Sequence, residues 1–476
     1  MNSSHTDFGA PGHWIDGAFV PGGGAVTEVV NPATAEVVAT VPAGTGADVD
    51  RAVAAARAAL SGWAATEPGE RADALRRLAG ELTSRVEVIA QAVTAEMGAP
   101  ITLARAGHVG FAALVTAATA ELVTEVSWDE QVGNSLVVRE PVGVVGAITP
   151  WNFPLQQVIT KVAPALLAGN TVVLKPSERA PLSARFLAES AVAAGIPDGV
   201  LNVVYGAGPT VGEALAAHPD VDMISFTGST QVGRRISAIA SATVKRVGLE
   251  LGGKSANIVL DDAEIDQAVE QTLVNSWTNS GQACGAWSRL LVPESRHDEI
   301  VEKLVTAAAG YTVGDPTDES VRLGPLASEQ HWAQVNSYME RGIADGAVLA
   351  FGGPGRIAGL EHGAYIRPTI FARVDPGSVV AQEEIFGPVL CVIPYADEDD
   401  AVAIADGTIY GLTASVFGEP ERALRIARRL DVGQVYVNGA QFNPAAPFGG
   451  YKQSGNGREM GRVGVEEFTE VKSIQI

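Results

Sequence analysis

The sequence predicts an α/β protein built on doubly wound parallel sheets, and three observations carry that expectation. Its 476 residues are more than one hydrophobic core organises, so two or three domains are expected. From residue 142 onward, short runs rich in Val, Ile and Leu alternate with helical segments, as strand–helix–strand units do. A second series of the same kind begins at residue 256.

The elements follow in order. Residues 26–30 and 36–41 read as short strands punctuated by Gly and Pro. An Ala-rich helical periodicity runs from Asp48 to Trp63 and again over residues 71–96, where Gly98-Ala99-Pro100 stops it. A further helix extends to residue 120. Residues 123–128 alternate weakly, Gly133-Asn134 can turn the chain and residues 136–139 return, which predicts a β-hairpin. A surface hairpin packed on its own domain is one reading of it. Strands are then expected at 142–148, 171–174, 201–204, 223–226 and 246–249, with helices at 156–168, 182–194, 211–217 and 230–240. The second series opens with a strand at 256–259 and a helix at 264–275 and runs to residue 441; Gly352-Gly353-Pro354-Gly355 is a loop within it.

Composition excludes several functions. A net charge of −22 repels phosphate backbones and anionic lipid, so neither nucleic acid nor a membrane surface is an expected partner. Only Cys284 and Cys391 occur, which rules out a disulfide framework and suits a reducing compartment. The first ten residues lack the basic and apolar regions of a secretory signal, and no uninterrupted apolar run is long enough to span a bilayer. The seven histidines are scattered and none has metal-ligand spacing with the cysteines. A cytoplasmic, metal-free protein is expected.

In doubly wound sheets, ligands bind beyond the carboxyl ends of the strands. Phe226-Thr227-Gly228-Ser229 lies at such an end and opens a helix, where free N–H groups could receive a phosphate; such a turn is also a common helix cap. Gly206-Ala207-Gly208-Pro209 ends the preceding strand and is either a tight turn or a second phosphate-side surface, since Gly212 comes one place late for the dinucleotide fingerprint. Lys175-Pro176-Ser177-Glu178 leaves a cation and a carboxylate at the sheet edge, either to meet ribose hydroxyls or as a solvated pair.

Cys284 sits among small residues, Gly281-Gln282-Ala283-Cys284-Gly285-Ala286, so its sulfur is reachable as a nucleophile requires, although lone cysteines are more often inert core residues. Cys391 lies in an apolar strand-like run and reads as structural. Glu250 ends a strand before Leu251-Gly252-Gly253-Lys254, where partial desolvation would raise its pKa towards a useful base; an exposed strand-end glutamate is the alternative. Asn152, between Pro150-Trp151 and Phe153-Pro154, is either a turn residue or a rigid amide able to polarise a carbonyl.

Taken together these pieces resemble the aldehyde dehydrogenase superfamily. The resemblance also covers Trp14-Ile15-Asp16-Gly17, Asn31-Pro32-Ala33-Thr34, Glu383-Glu384-Ile385-Phe386-Gly387-Pro388 and Pro447-Phe448-Gly449-Gly450, so nearly the whole chain takes part. It implies a Rossmann-like cofactor domain (1–121 and 142–252), an α/β catalytic domain (253–446) and an oligomerisation segment (122–141 and 447–476) containing the β-hairpin flap, in a homodimer or homotetramer.

The resemblance further implies NAD- or NADP-dependent oxidation of an aldehyde to its acid, with NAD preferred because Glu178 would repel a 2′-phosphate. Cys284 resembles the nucleophile, Asn152 the oxyanion holder and Glu250 the deacylating base, while Lys161 and Glu459 match a proton relay. Cofactor contacts are implied at Lys175, Ser177, Glu178, Ser229, Glu384 and Phe386. Further ones are implied at Thr149, Pro150, Trp151, Gly208, Phe226, Gly228, Leu251 and Gly252. Phe153, Gln157, Thr160, Thr278, Phe442 and Phe448 match the substrate tunnel, whose aromatic walls and small flanks beside Cys284 suggest medium-chain or aromatic aldehydes. A CoA-acylating semialdehyde dehydrogenase is the alternative, disfavoured by the presence of Glu250; a non-catalytic homologue is disfavoured by Cys284 and Asn152.

Overall fold

The computed structural model describes residues 8, 12–22 and 24–476. Two large sheets dominate it. In the first, five parallel strands stand in the spatial order Leu201–Val203, Thr171–Lys175, Val144–Ile148, Met223–Thr227, Arg246–Glu250. The strand order therefore reverses between Val144–Ile148 and Met223–Thr227, the switch point at which doubly wound sheets open a crevice. Antiparallel strands extend both sides: His13–Ile15 and Ala18–Val20 at one, Gly455–Asn456 at the other.

Both faces are covered, which is why these strands are apolar throughout rather than alternating. One face packs Val49, Val53, Leu215 and Ile236 from the helices Gly46–Ala64, Glu213–Ala217 and Thr230–Ala240. The other receives the helices Pro154–Leu167 and Leu182–Ala193, with Pro68–Ser84, Val86–Met97 and Phe111–Glu121 in the same cluster. The helical run Ile101–Thr124 has the length and composition of a membrane span, yet half of it is buried, with Phe111–Glu121 against Pro68–Ser84 and Pro154–Leu167.

The second sheet contains six parallel strands, in order Thr369–Ala372, Val389–Tyr395, Arg289–Pro293, Ala256–Val259, Thr413–Phe417 and Gln434–Val437. Val348–Phe351 adds an antiparallel edge. A third, three-stranded sheet pairs the hairpin Asp129–Val132 and Ser135–Pro141 with Thr469–Gln475 of the same chain.

Five expectations need correction. The hairpin is present with its turn at Gly133-Asn134, but its first strand is Asp129–Val132 and not 123–128. Leu122 and Val126 are both buried four residues apart, a helical spacing, so the chain continues as the 3₁₀ turn Leu122–Thr124. The stretch 71–96 is two helices divided at Arg85, with no Gly or Pro to announce the break. The stretch 142–148 begins two residues too early, since the strand is Val144–Ile148. Gly143, at φ +134, divides the hairpin strand from Val144–Ile148, and a Cβ there would lie 2.0 Å from the Asp222 carboxylate that accepts from the Val144 N–H. The segment 211–217 starts as the π-helical turn Gly208–Gly212. Within 447–476, residues 455–456 extend the first sheet while 469–475 join the hairpin.

Candidate active site

The chain passes directly from the carboxyl end of Arg246–Glu250 through Leu251-Gly252-Gly253 to the amino end of Ala256–Val259. The first sheet thus presents its carboxyl ends to the cleft and the second its amino ends. Neither glycine of the bridge is spare. A Cβ on Gly252 would lie 2.3 Å from Glu384 Oε2, and one on Gly253 would lie 2.4 Å from the Cys284 carbonyl. The bridge is fixed by Ser454, whose carbonyl accepts from Leu251 N–H at 2.9 Å and whose hydroxyl donates to Gly252 O at 2.6 Å.

Cys284 follows the helix Ile265–Trp277 and a turn in which Asn279, Ser280 and Gly281 are all left-handed, with φ of 52°, 57° and 73°. Such conformations cost about 1–2 kcal/mol for each non-glycine residue, so the turn must be held by its surroundings. Asn279 Nδ2 donates to Asn152 O at 2.8 Å, Ser280 Oγ to Gly324 O at 2.8 Å, and Gln282 Nε2 to Asn279 O at 3.0 Å. A side chain at 281 would run into the Gly387 carbonyl, 2.2 Å away. The result is a thiol that keeps partial exposure, whereas Cys391 is fully buried with its Sγ directed at Val380 O. Burial, with the Glu384, Glu250 and Glu459 carboxylates, pushes the Cys284 thiol up to about 12, against a lowering contribution from the Gly285 N–H.

Asn152 is buried at the start of the helix Pro154–Leu167 and donates Nδ2 to Gln282 O at 3.0 Å, two residues before the thiol. That bond uses one of two amide hydrogens and leaves the other free to meet an oxyanion. Glu250 is buried and, among the described residues, neither carboxylate oxygen has a hydrogen-bond partner. Burial and then the Glu459 charge raise its pKa well above the ordinary range, Lys161 and Arg458 opposing. Lys161 and Glu459 form a buried ion pair. Glu459 and Phe448 also exchange two backbone hydrogen bonds of 2.7 Å, which ties the pair to the aromatic wall.

Most residues expected to meet a cofactor stand at or after strand ends of the first sheet, while Glu384 and Phe386 come from the second sheet's portion of the chain. Lys175 Nζ holds Glu178 Oε2 at 2.8 Å; burial pushes that carboxyl up, but the adjacent ammonium holds it below its usual value. The Ser177 hydroxyl accepts from Arg179 N–H at 3.3 Å, and Ser229 Oγ caps Val232 N–H at 3.4 Å. The Phe226 ring lies under Gly228, 2.5 Å from where a Cβ would sit, and no atom approaches that position on Gly208. Leu251 fills the notch left by Gly233. Glu384 Oε1 accepts from Gly253 N–H at 3.0 Å, and Phe386 (φ 61) meets Trp151 edge-on at 5.5 Å. Thr149 Oγ1 and Thr227 Oγ1 are buried beside the strand ends without partners among the described residues, which suits a polar ligand laid across them. These residues fit a dinucleotide.

The tunnel residues separate into two aromatic groups. Phe153 stacks on His108 at 4.5 Å, and Phe442 lies 6.3 Å from Phe448 and 5.5 Å from Phe111. Thr160 Oγ1 is engaged with Gln157 O at 3.1 Å, while Thr278 ends its helix. The sequence reading missed His108, Phe111, His331 and Tyr436. His108 lies on the π-helical turn Ala104–Gly110, His331 bonds Phe386 O at 2.7 Å, and Tyr436 is close enough for the Cys284 charge to act on it. Nothing in their spacing marks them.

The sequence model of the aldehyde dehydrogenase family matches residues 19–474. A 3-succinoylsemialdehyde-pyridine dehydrogenase from a Pseudomonas species is 48% identical over 466 residues, 97% of each chain. A cysteine-to-alanine variant of aldehyde dehydrogenase C from Pseudomonas syringae, in complex with NAD+ and octanal, superposes with a TM-score of 0.97 at 48% identity, covering 100% of this chain and 98% of that one. A Mycobacterium tuberculosis aldehyde dehydrogenase complexed with NAD+ gives a TM-score of 0.96 at 43% identity over 98% of both chains. The chain belongs to the aldehyde dehydrogenase family.

Proposed function

We propose that this aldehyde dehydrogenase oxidises medium-chain and aromatic aldehydes with NAD+, through a thioester on Cys284 that is hydrolysed by water deprotonated at Glu250. The observation that carries this reading is the juxtaposition of one reachable thiol with a buried carboxylate that has no hydrogen-bond partner among the described residues. Once the Cys284 thiol has lost its proton to solvent, attack of the thiolate on the carbonyl carbon forms a thiohemiacetal, whose oxyanion is met by the free Asn152 amide hydrogen and the Cys284 N–H. The chemistry NAD+ supplies when bound is acceptance of hydride, which leaves the acyl thioester. Glu250 then takes a proton from water as its oxygen attacks, and the C–S bond breaks to return the thiolate. Lys175, Ser177 and Glu178 would hold the adenosine ribose, Ser229 the pyrophosphate and Glu384 the nicotinamide ribose.

Three further points complete the reading. Glu178 is kept ionised by Lys175, so a 2′-phosphate would meet like charge and NAD+ is preferred over NADP+. The aromatic walls at Phe153, Phe442 and Phe448 suit apolar chains and rings, and the octanal bound by the P. syringae relative and the pyridine in the name of the Pseudomonas relative support that choice. The hairpin sheet has two open edges and exposes Val132, Val471 and Ile474, which supports a homodimer or homotetramer; two unpaired cysteines support a cytoplasmic location. The test is purified enzyme against aldehydes of graded length and aromaticity, with NAD+ and NADP+, with and without CoA. NADH should form without CoA, fastest from octanal-sized and aromatic substrates. A strict need for CoA would establish the acylating alternative. Elution as a clean monomer would remove the oligomer.

A further inference from the structure

We propose that Glu467 is the outlet through which the proton taken up by Glu250 reaches solvent. The inference rests on Glu250 as the deacylating base, and concerns what happens after that base has acted. Oxidation and hydrolysis of each aldehyde release protons, and a buried carboxyl must lose its proton before it can serve again. Lys161 and Glu459, its neighbours in the ion pair, are both buried, so neither reaches solvent itself.

Beside Glu250 and Glu459 lies a small cavity with room for about one water molecule. Its walls include Ser225, Asn456, Arg458 and three carboxylates, those of Glu250, Glu459 and Glu467. Two glycines beside the cavity leave its carboxylates uncrowded. A Cβ on Gly449 would stand 2.7 Å from Glu250 Oε1, and one on Gly457 would stand 2.7 Å from Glu467 Oε1. The first position is 2.9 Å from the Gly457 carbonyl, so one stretch of backbone passes both carboxylates.

Glu467 differs from Glu250 in reaching the surface, where it is half-buried. The ionised groups acting on it are Arg246 and Arg458, and its charge is felt at Glu250. Burial lifts its pKa above the ordinary carboxylate range, so donor and acceptor are brought closer in proton affinity than a buried and a fully solvated glutamate would be. The proton passes from the Glu250 carboxyl to the cavity water as that water gives one to the Glu467 carboxylate, and Glu467 releases it to bulk buffer.

The test is repeated turnover of 4-nitrophenyl acetate, a measurement that needs no cofactor, in Glu467→Gln and Glu467→Asp. The burst of nitrophenolate should be unchanged in both. In dilute buffer near neutral pH, the steady rate after the burst, which requires Glu250 to be reset between acyl groups, should slow severalfold in Glu467→Gln and less in Glu467→Asp. Added formate or imidazole should restore the rate in a concentration-dependent way, with no such response in the wild type. If Glu467→Gln does not fold, the appearance of buffer dependence in Glu467→Asp decides the matter. A wild-type steady rate in both variants, or slowing that no buffer relieves, would overturn the outlet. Failure of Glu250 itself looks different, because Glu250→Gln would then deacylate normally.

Discussion

The two parallel sheets meet the cleft from opposite ends, and the chemistry divides accordingly. The first supplies groups at or just beyond the carboxyl ends of its strands: Thr149 and Asn152 after Ile148, then Lys175, Thr227 and Glu250. The second supplies loops that precede its strands: Cys284 before Arg289–Pro293, and Glu384 and Phe386 before Val389–Tyr395. The strand-end rule for doubly wound sheets therefore finds the first half of the site and is silent on the second. A groove built this way lets side chains from one sheet's portion of the chain face backbone turns from the other, as Glu384 Oε1 does in accepting from the Gly253 N–H.

The comparison is tested most severely by the two cysteines, both from the second sheet's portion of the chain. Cys284→Ala, in the loop, should abolish NAD+-dependent oxidation while calorimetry still detects NAD+ binding. Cys391→Ala, within the strand, should keep most activity and lose about 1 kcal/mol of stability, as small buried truncations do. The reverse pattern would move the chemistry from the loops into the sheet.

The first sheet's contribution is tested by Glu250→Gln, which keeps shape and removes basicity. Steady-state turnover should fall roughly a hundredfold or more. A burst of about one NADH per active subunit should survive, and mass spectrometry should find the acyl group on the Cys284 peptide. An absent burst would transfer the main role of Glu250 to activating the thiol. In the wild type, turnover should also rise with pH as the raised Glu250 carboxyl ionises, a limb the variant lacks.

A smaller effect is expected at the far end of the crevice. Glu178→Gln should narrow the preference for NAD+ over NADP+ by several-fold in kcat/KM, since the like charge facing a 2′-phosphate is gone. A wild-type enzyme faster with NADP+ would contradict the role given to that carboxylate. The smallest effect is on stability. Glu250 titrates higher in the fold than in the unfolded chain, so the stability it contributes is fully present below the ordinary carboxylate range. It is lost as pH climbs from there to the raised value. Glu250→Gln should therefore gain thermal stability relative to wild type as pH rises, and a difference independent of pH would show that the carboxylate is not resisting ionisation.

Much of this was legible in the sequence because parallel strands buried on both faces spell continuous apolar runs. Glu250 and Lys175 stand where those runs stop, and the Gly-Ala surroundings of Cys284 announce an uncrowded sulfur. The rest depends on tertiary partners. Nothing local says that Asn279 and Ser280 are left-handed, since the bonds holding them come from Asn152 and Gly324, more than forty residues away. The break at Arg85 has no helix-breaking residue, and the chain after 122 follows the buried pair Leu122 and Val126 rather than its weak alternation. His108 is invisible as a tunnel residue until the stacked Phe153 is placed against it.

The elevated proton affinity of the Cys284 thiol has a consequence for how the enzyme endures between turnovers. A sulfur surrounded by carboxylates and held protonated is slow towards peroxides and alkylating agents as well as aldehydes, because all of them react with the thiolate. Burial is the largest of these influences and the three carboxylates add to it, so the packing that shields the sulfur between turnovers also sets what must change before it can attack.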